Sequence, residues 1–190
     1  MDVRKYLRAN EVENLLSEWR SWARADRARR SKYLWVFLTL YHTGARIREV
    51  LGLTDSAFNE KAATITMPRL KQRGRGKGTM KVIPIHSSAM DEIITARIVA
   101  KSTGSLAPAY TTFYELFKMR AEAAGITSAK LQHPHVLRHS YAMYMLDSGL
   151  DVVSVKKMLG NSSIQSVLVY LDKCTEDIGE DMRNRGLLRY

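Results

Sequence analysis

The sequence predicts a mainly α fold with one small antiparallel β-sheet (α+β), in a single domain over residues 1–190. Three observations predict it. Apolar residues recur at helical spacing along most of the chain. Residues 63–86 are instead β-branched and partly alternating, and they flank a glycine-rich turn. No internal repeat, low-complexity linker or composition break divides the 190 residues, a length that suits one domain with a real core.

Each element has its own signal. Residues 10–25, NEVENLLSEWRSWARA, read as a helix because Val12, Leu15, Leu16, Trp19 and Trp22 or Ala23 share a face. Asn10 with Glu13 resembles a capping box at its start. RADRARRSK follows as a basic loop or helix end. KYLWVFLTLYH, residues 32–42, is apolar nearly all round, the pattern of a buried helix, and Gly44 is placed to end it. A short helix, RIREVLGL, starts at about Arg46. ATITMPRLK and TMKVIPIH are the arms of a β-hairpin with QRGRGKG as its long tip. Helices are predicted near 88–101, 110–125, 134–148, 151–158 and 163–175, punctuated by Gly104, Gly125, Gly149 and Gly160.

Composition narrows the function classes. Hydrophobic residues make up 45% and charged residues 26%, ordinary for a soluble globular protein. The charge balance is not ordinary: 30 Lys and Arg against 19 Asp and Glu give +11. Such a balance suits a polyanionic partner, either nucleic acid or an anionic membrane surface. YLWVFLTLY is far shorter than the roughly 20 apolar residues of a spanning helix. MDVRKYLRANEVEN lacks the apolar core of a signal peptide. Cys174 is the only cysteine, which rules out an internal disulfide and fits a reducing, cytoplasmic location.

Four stretches have the residue types for chemistry. In TGARIREVLGL, Ile47, Val50 and Leu51 share an apolar face, and Arg46 and Glu49 lie off it. Arg46 at a helix N-terminus suits a phosphate, although a surface ion pair with Glu49 explains it as well. In the hairpin, Arg69, Lys71, Arg73, Arg75, Lys77 and Lys81 are undiluted by any acid. Gly74, Gly76 and Gly78 let that backbone approach a DNA phosphate, or else make a flexible tip. In HPHVLRHSYAMYML, Pro134 suits a first helical turn, and His135 and Arg138 share a face on which they can grip one phosphate. His139 reads as a hydrogen-bonded structural histidine. His133, His135 and His139 invite a metal, but no carboxylate stands at zinc-site spacing, so no metal is expected. In LGNSSIQSVLVYLDK, Ser162 or Ser163 can cap a helix with the stripe Ile164, Val167, Leu168 and Leu171. At ~100° per residue Tyr170 lies roughly 110° from the centre of that stripe, which permits either a structural tyrosine or a nucleophile.

In order and spacing, these motifs resemble the tyrosine recombinase (phage integrase) family from about residue 6 to residue 172. The resemblance implies that family's catalytic-domain fold. It matches Arg46 to the first family arginine, Glu49 to the acidic residue after it, and His135 and Arg138 to the HxxR pair. Lys71 matches the strand-end lysine, with Lys77 a second candidate, and Tyr170 matches the nucleophile. Asn161 stands where the family usually has His, sometimes Trp, and an amide can orient a phosphate oxygen but cannot exchange a proton.

The implied activity is site-specific recombination of double-stranded DNA through a covalent 3′-phosphotyrosine, without metal, ATP or other cofactor. Arg46 and Arg138 would clamp the phosphate, Lys71 would protonate the leaving oxygen, His135 would assist proton transfer, and Glu49 would orient its neighbours. The family's separate DNA-clamping domain is expected to be absent. The tail KCTEDIGEDMRNRGLLRY is expected to dock on a neighbouring subunit, giving dimers to tetramers on DNA, or to pack on its own domain. Such an enzyme would work in the cytoplasm on DNA, as in a mobile element. Two rival readings remain: a type IB topoisomerase, and a DNA-binding module that has lost catalysis.

Overall fold

Helix α2 (Arg27–Thr43) is the axis around which the other elements pack. Its residues Trp35 to Leu40 are all buried, as an all-round apolar sequence requires. The structure, a computed structural model, describes residues 4–68 and 80–160. Around α2 lie α1 (Ala9–Arg24), α3 (Ile47–Leu51), α4 (Ser87–Ser102) and α6 (His135–Asp147). Helix α5 (Tyr110–Ala123) packs on α1 and α3, and α7 (Val152–Leu159) packs on α6. Three antiparallel strands, β1 (Phe58–Asn59), β2 (Thr64–Pro68) and β3 (Met80–Pro84), form one sheet in that order. This is the mainly helical fold with a small antiparallel sheet that the sequence predicts.

The local starts differ from expectation in two places. Helix α1 begins one residue early, and its box is Arg8 with Glu11, not Asn10 with Glu13. The Glu11 carboxylate accepts the Arg8 backbone N–H at 2.7 Å and is held by the Arg4 guanidinium at 2.7 and 3.1 Å. That second anchor decides the register of the cap. The basic stretch after α1 is a helix end and a helix start: Arg24 closes α1, Ala25 and Asp26 turn the chain, and the rest begins α2. Asp26 caps Arg29 N at 3.1 Å, so Arg27, Arg29 and Arg30 fall in the first turn of α2.

The core is aromatic where α1, α2 and α5 meet. Trp19 stacks on Phe37 at 4.6 Å between centroids and on Phe113 at 5.5 Å, with Phe117 tilted at 6.2 Å. Ion pairs tie the helices at the rim: Arg20 of α1 to Glu92 of α4 at 2.5 Å, and Arg120 of α5 to Glu18 of α1 at 2.8 Å. At the sheet, the Arg97 guanidinium lies 4.4 Å from the ring centres of both Trp35 and Phe58 and pairs with Asp55 at 2.9 Å. At 3% exposure this cation is held by two aromatic rings and one carboxylate, while its Nη1 is buried without a hydrogen-bond partner among the described residues.

The hairpin stem pairs Ile65 with Ile83 and Met67 with Lys81. Alternation therefore turns Lys81 and Ile83 inward and leaves Met80 and Val82 exposed at 57% and 61%. The tip, with Arg69, Lys71, Arg73, Arg75 and Lys77, lies outside the described residues. So do Asn161, Tyr170 and the C-terminal tail. Among the described residues no helix is long and apolar enough to cross a membrane.

Replacing Trp19 by Ala removes the centre of the aromatic cluster and is expected to cost about 3–5 kcal/mol of stability. Urea denaturation followed by circular dichroism measures it; a loss under about 1 kcal/mol would mean that the cluster is not the cohesive core.

Candidate active site

Five chain segments converge at the C-terminal end of α2, and the geometry starts with Gly44. Gly44 adopts the left-handed conformation at φ 58°, which ends α2 and sends the chain into α3. A Cβ there would lie 2.6 Å from Cδ1 of Tyr141 and 3.1 Å from Leu159, so only glycine fits the turn without displacement. The turn delivers Arg46 to the N-cap of α3.

Arg46 is held by the residue three positions on. The Glu49 Oε2 atom accepts the Arg46 backbone N–H at 3.0 Å, and Oε1 accepts from the Arg46 guanidinium at 3.2 Å. Glu49 is not off the packed face as the helical spacing suggested; it is buried at 1% exposure. Its second cation comes from β3, where Lys81 Nζ donates to Oε2 at 3.0 Å. Lys81, expected among the DNA-contacting residues of the hairpin, is buried at 5% exposure in this ion pair. The reason is strand parity: Lys81 shares the inward face with Ile83 and sits opposite buried Met67. Burial pushes the Glu49 carboxyl up, but the Arg46 N–H and Lys81 ammonium outweigh it, and the group stays below the usual carboxylate range. Burial likewise lowers Lys81, against the raising effect of Glu49.

Helix α6 supplies the second half. Pro134 stands at its N-cap, and His135 and Arg138 follow on one face. Arg138 is 3% exposed; its Nη1 donates to the Gly44 carbonyl at 2.8 Å and its Nη2 to the Leu159 carbonyl at 2.7 Å. One buried guanidinium thus pins the ends of α2 and α7. Arg46 and His135 line one cleft of about 270 Å³ with Ala45, Ile47, Pro134 and three further side chains. Burial and then the Arg138 charge push His135 down to about 4, with His133 and Arg46 contributing. The His139 ring meets His135 edge-on at 4.7 Å, and burial with His135 beside it lowers His139 to about 3. Both are neutral imidazoles at neutral pH. Among the described residues no group of three or more His, Cys, Asp or Glu is placed to hold a metal ion.

The structure therefore brings together Arg46, Glu49, Lys81, His135, Arg138 and His139, which come from distant parts of the chain. Sequence reasoning missed three cleft residues, Arg48, Tyr110 and Tyr114. Arg48 lies 5.6 Å from the Tyr110 ring centre, and the two tyrosines are 40% and 36% exposed. Their signal was present: two tyrosines four apart at the start of a helix and an arginine two residues after Arg46. The arrangement is a cationic cleft with neutral imidazoles and exposed aromatic rims, suited to a phosphodiester.

Comparison with known proteins agrees with this chemistry. The family model described as the phage integrase family matches residues 5–176. The tyrosine recombinase XerC of Roseiflexus castenholzii is 30% identical over 148 residues, covering 69% of this chain and 44% of that protein. The tyrosine recombinase XerD of Mycobacterium leprae is 28% identical over 184 residues, covering 87% of this chain and 56% of that protein. The chain thus spans about half the length of the curated relatives it matches. In fold it is similar to the XerH site-specific recombinase bound to a palindromic difH substrate, with a TM-score of 0.75 at 18% identity over 93% of this chain and 52% of that one.

Two measurements probe the site without DNA. Gly44→Ala is expected to cost at least about 1–2 kcal/mol from the left-handed backbone alone, with the Tyr141 clash added, read as a lower urea midpoint. The second concerns pH. His135 at about 4, His139 at about 3 and His42 at about 4 all sit below the unfolded value near 6.5. Between those values the unfolded chain binds more protons, so stability is full above about pH 6.5 and falls as the pH drops towards 4. Melting temperatures over pH 4–7.5 should show that slope, and His135→Gln with His139→Gln should flatten it; an unchanged slope would exclude these two rings as its source.

Proposed function

The chain belongs to the phage integrase family, and from that premise we propose that it is the catalytic part of a site-specific DNA recombinase. The observation that carries the reading is the meeting of Arg46, His135 and Arg138 at one end of α2, although Arg46 and the other two lie on separate helices. Two guanidiniums, one beside the cleft and one pinned behind it, supply the charge that a phosphoryl transition state needs.

In this proposal Tyr170 Oη attacks the scissile phosphorus. A phosphotyrosyl bond forms to the 3′ side, and the bond to the 5′ oxygen breaks. The phenol proton passes to a base at the site, with neutral His135 the candidate. Lys71, or Lys77 on the same hairpin tip, protonates the departing oxygen. Asn161 donates a hydrogen bond to a phosphate oxygen and exchanges no proton. The covalent link conserves the energy of the broken ester, so rejoining needs neither ATP nor a metal. Arg69, Arg73 and Arg75 contact the DNA backbone, and the overall charge of +11 supports binding to it. We further propose that the protein works on DNA in the cytoplasm, and that the C-terminal tail couples copies into dimers and tetramers there.

A nicked suicide DNA tests the reading. A protein–DNA adduct should survive denaturing electrophoresis, form in excess EDTA, and vanish with Tyr170→Phe. Arg46→Ala or Arg138→Ala should slow adduct formation by about 10²–10³-fold. An adduct that persists in Tyr170→Phe would remove Tyr170 as nucleophile. Cleavage that requires magnesium would point to a nuclease. Relaxed supercoils without recombinant products would favour a topoisomerase.

A further inference from the structure

Lys81 breaks the pattern of its own strand. In β3 the apolar Met80 and Val82 face out, and the cation faces in. A buried ammonium is costly, and a strand that inverts its polarity without local gain marks a functional constraint. Among the described residues its ammonium donates to Glu49 at 3.0 Å, and Glu49 is also the partner of Arg46.

The three side chains differ in exposure in a way that assigns their roles. The Glu49 side chain is 1% exposed, that of Lys81 3%, and that of Arg46 34%. The carboxylate cannot be left without a cation at that depth. Arg46 borders the cleft that also holds His135. If Arg46 were the only cation on Glu49, turning its guanidinium to a phosphate would strand a buried charge, and the carboxylate would hold it back. Lys81, fixed by the hairpin stem, removes that conflict.

We propose that Lys81 is a positioning residue: its buried ammonium balances Glu49, so that the carboxylate keeps a cation when the Arg46 guanidinium turns to the scissile phosphate. The inference rests on the recombinase reading above. It also joins the hairpin to the first arginine, because Lys81 is the second residue of β3, directly after the tip that carries Lys71 and Lys77. The competing account is structural. An inward charge on an edge strand discourages pairing between copies, and β3 is an edge among the described residues.

The test is the single-turnover rate of adduct formation on nicked DNA, at saturating DNA and per folded molecule, with DNA affinity measured alongside. Lys81→Met should slow the step about 100-fold, the scale of a misplaced catalytic group, while affinity changes less than about threefold, as expected when a loss is confined to the transition state. Lys81→Arg should restore most of the rate. Adding Glu49→Gln to Lys81→Met removes the unbalanced carboxylate and should recover at least about tenfold of the loss; this neutral pair also serves if Lys81→Met alone does not fold. In a cycle with Arg46→Ala, the two losses should not multiply. Multiplying losses, a double variant as slow as Lys81→Met, or aggregation with an unchanged rate would each overturn the role of Lys81 while leaving the recombinase reading intact. A wild-type chain that forms no adduct would overturn that reading, and this inference with it.

Discussion

A single buried guanidinium organises this molecule. Arg138 donates to the carbonyls of Gly44 and Leu159 and thereby joins the ends of α2 and α7. Both carbonyls belong to helix C-termini, where the last backbone acceptors lack helical partners and carry partial negative charge. The arginine satisfies two such acceptors and meets the electrostatic demand of both ends. Its own burial is tolerated for the same reason. The cleft depends on this closure, because Gly44 sets the path to Arg46, and Gly160, next to Leu159, ends α7 in the left-handed conformation.

Around it the site accumulates like charges. Arg46 and Lys81 share one carboxylate, Glu49, and the Arg138 charge lowers the proton affinity of both Lys81 and His135. Neutral His135 and His139 are the consequence: burial disfavours their charged forms, and the guanidiniums add to it. A dianionic or anionic ester entering the cleft would reverse that balance, strengthening its own binding and raising the basicity of the imidazoles.

Much of this was legible in the sequence. The all-round apolar run from 32 to 42 announced α2, Gly44 announced its end, and Pro134 announced α6, because these signals act within one turn of backbone. The capping box of α1 was misread because Arg4 anchors Glu11 from seven residues away, a contact that local spacing does not contain. Glu49 was placed off the packed face because helical spacing cannot foresee a cation supplied by a strand 32 residues later. Lys81 was classed with the tip by its charge, although its parity with Ile83 already assigned it to the inner face. The cleft residues Tyr110 and Tyr114 belong to a helix that only tertiary packing brings beside Arg46.

The acceptors that hold Arg138 are main-chain oxygens. A point substitution changes a side chain and leaves the peptide carbonyl in place, so the grip is indifferent to the identity of residue 159 as long as α7 keeps its helical end. Sequence drift can therefore reshape the packing around this arginine without loosening it. The exception is Gly44, where the backbone conformation itself depends on having no side chain. Of the two anchors, one is open to variation and the other is closed to it.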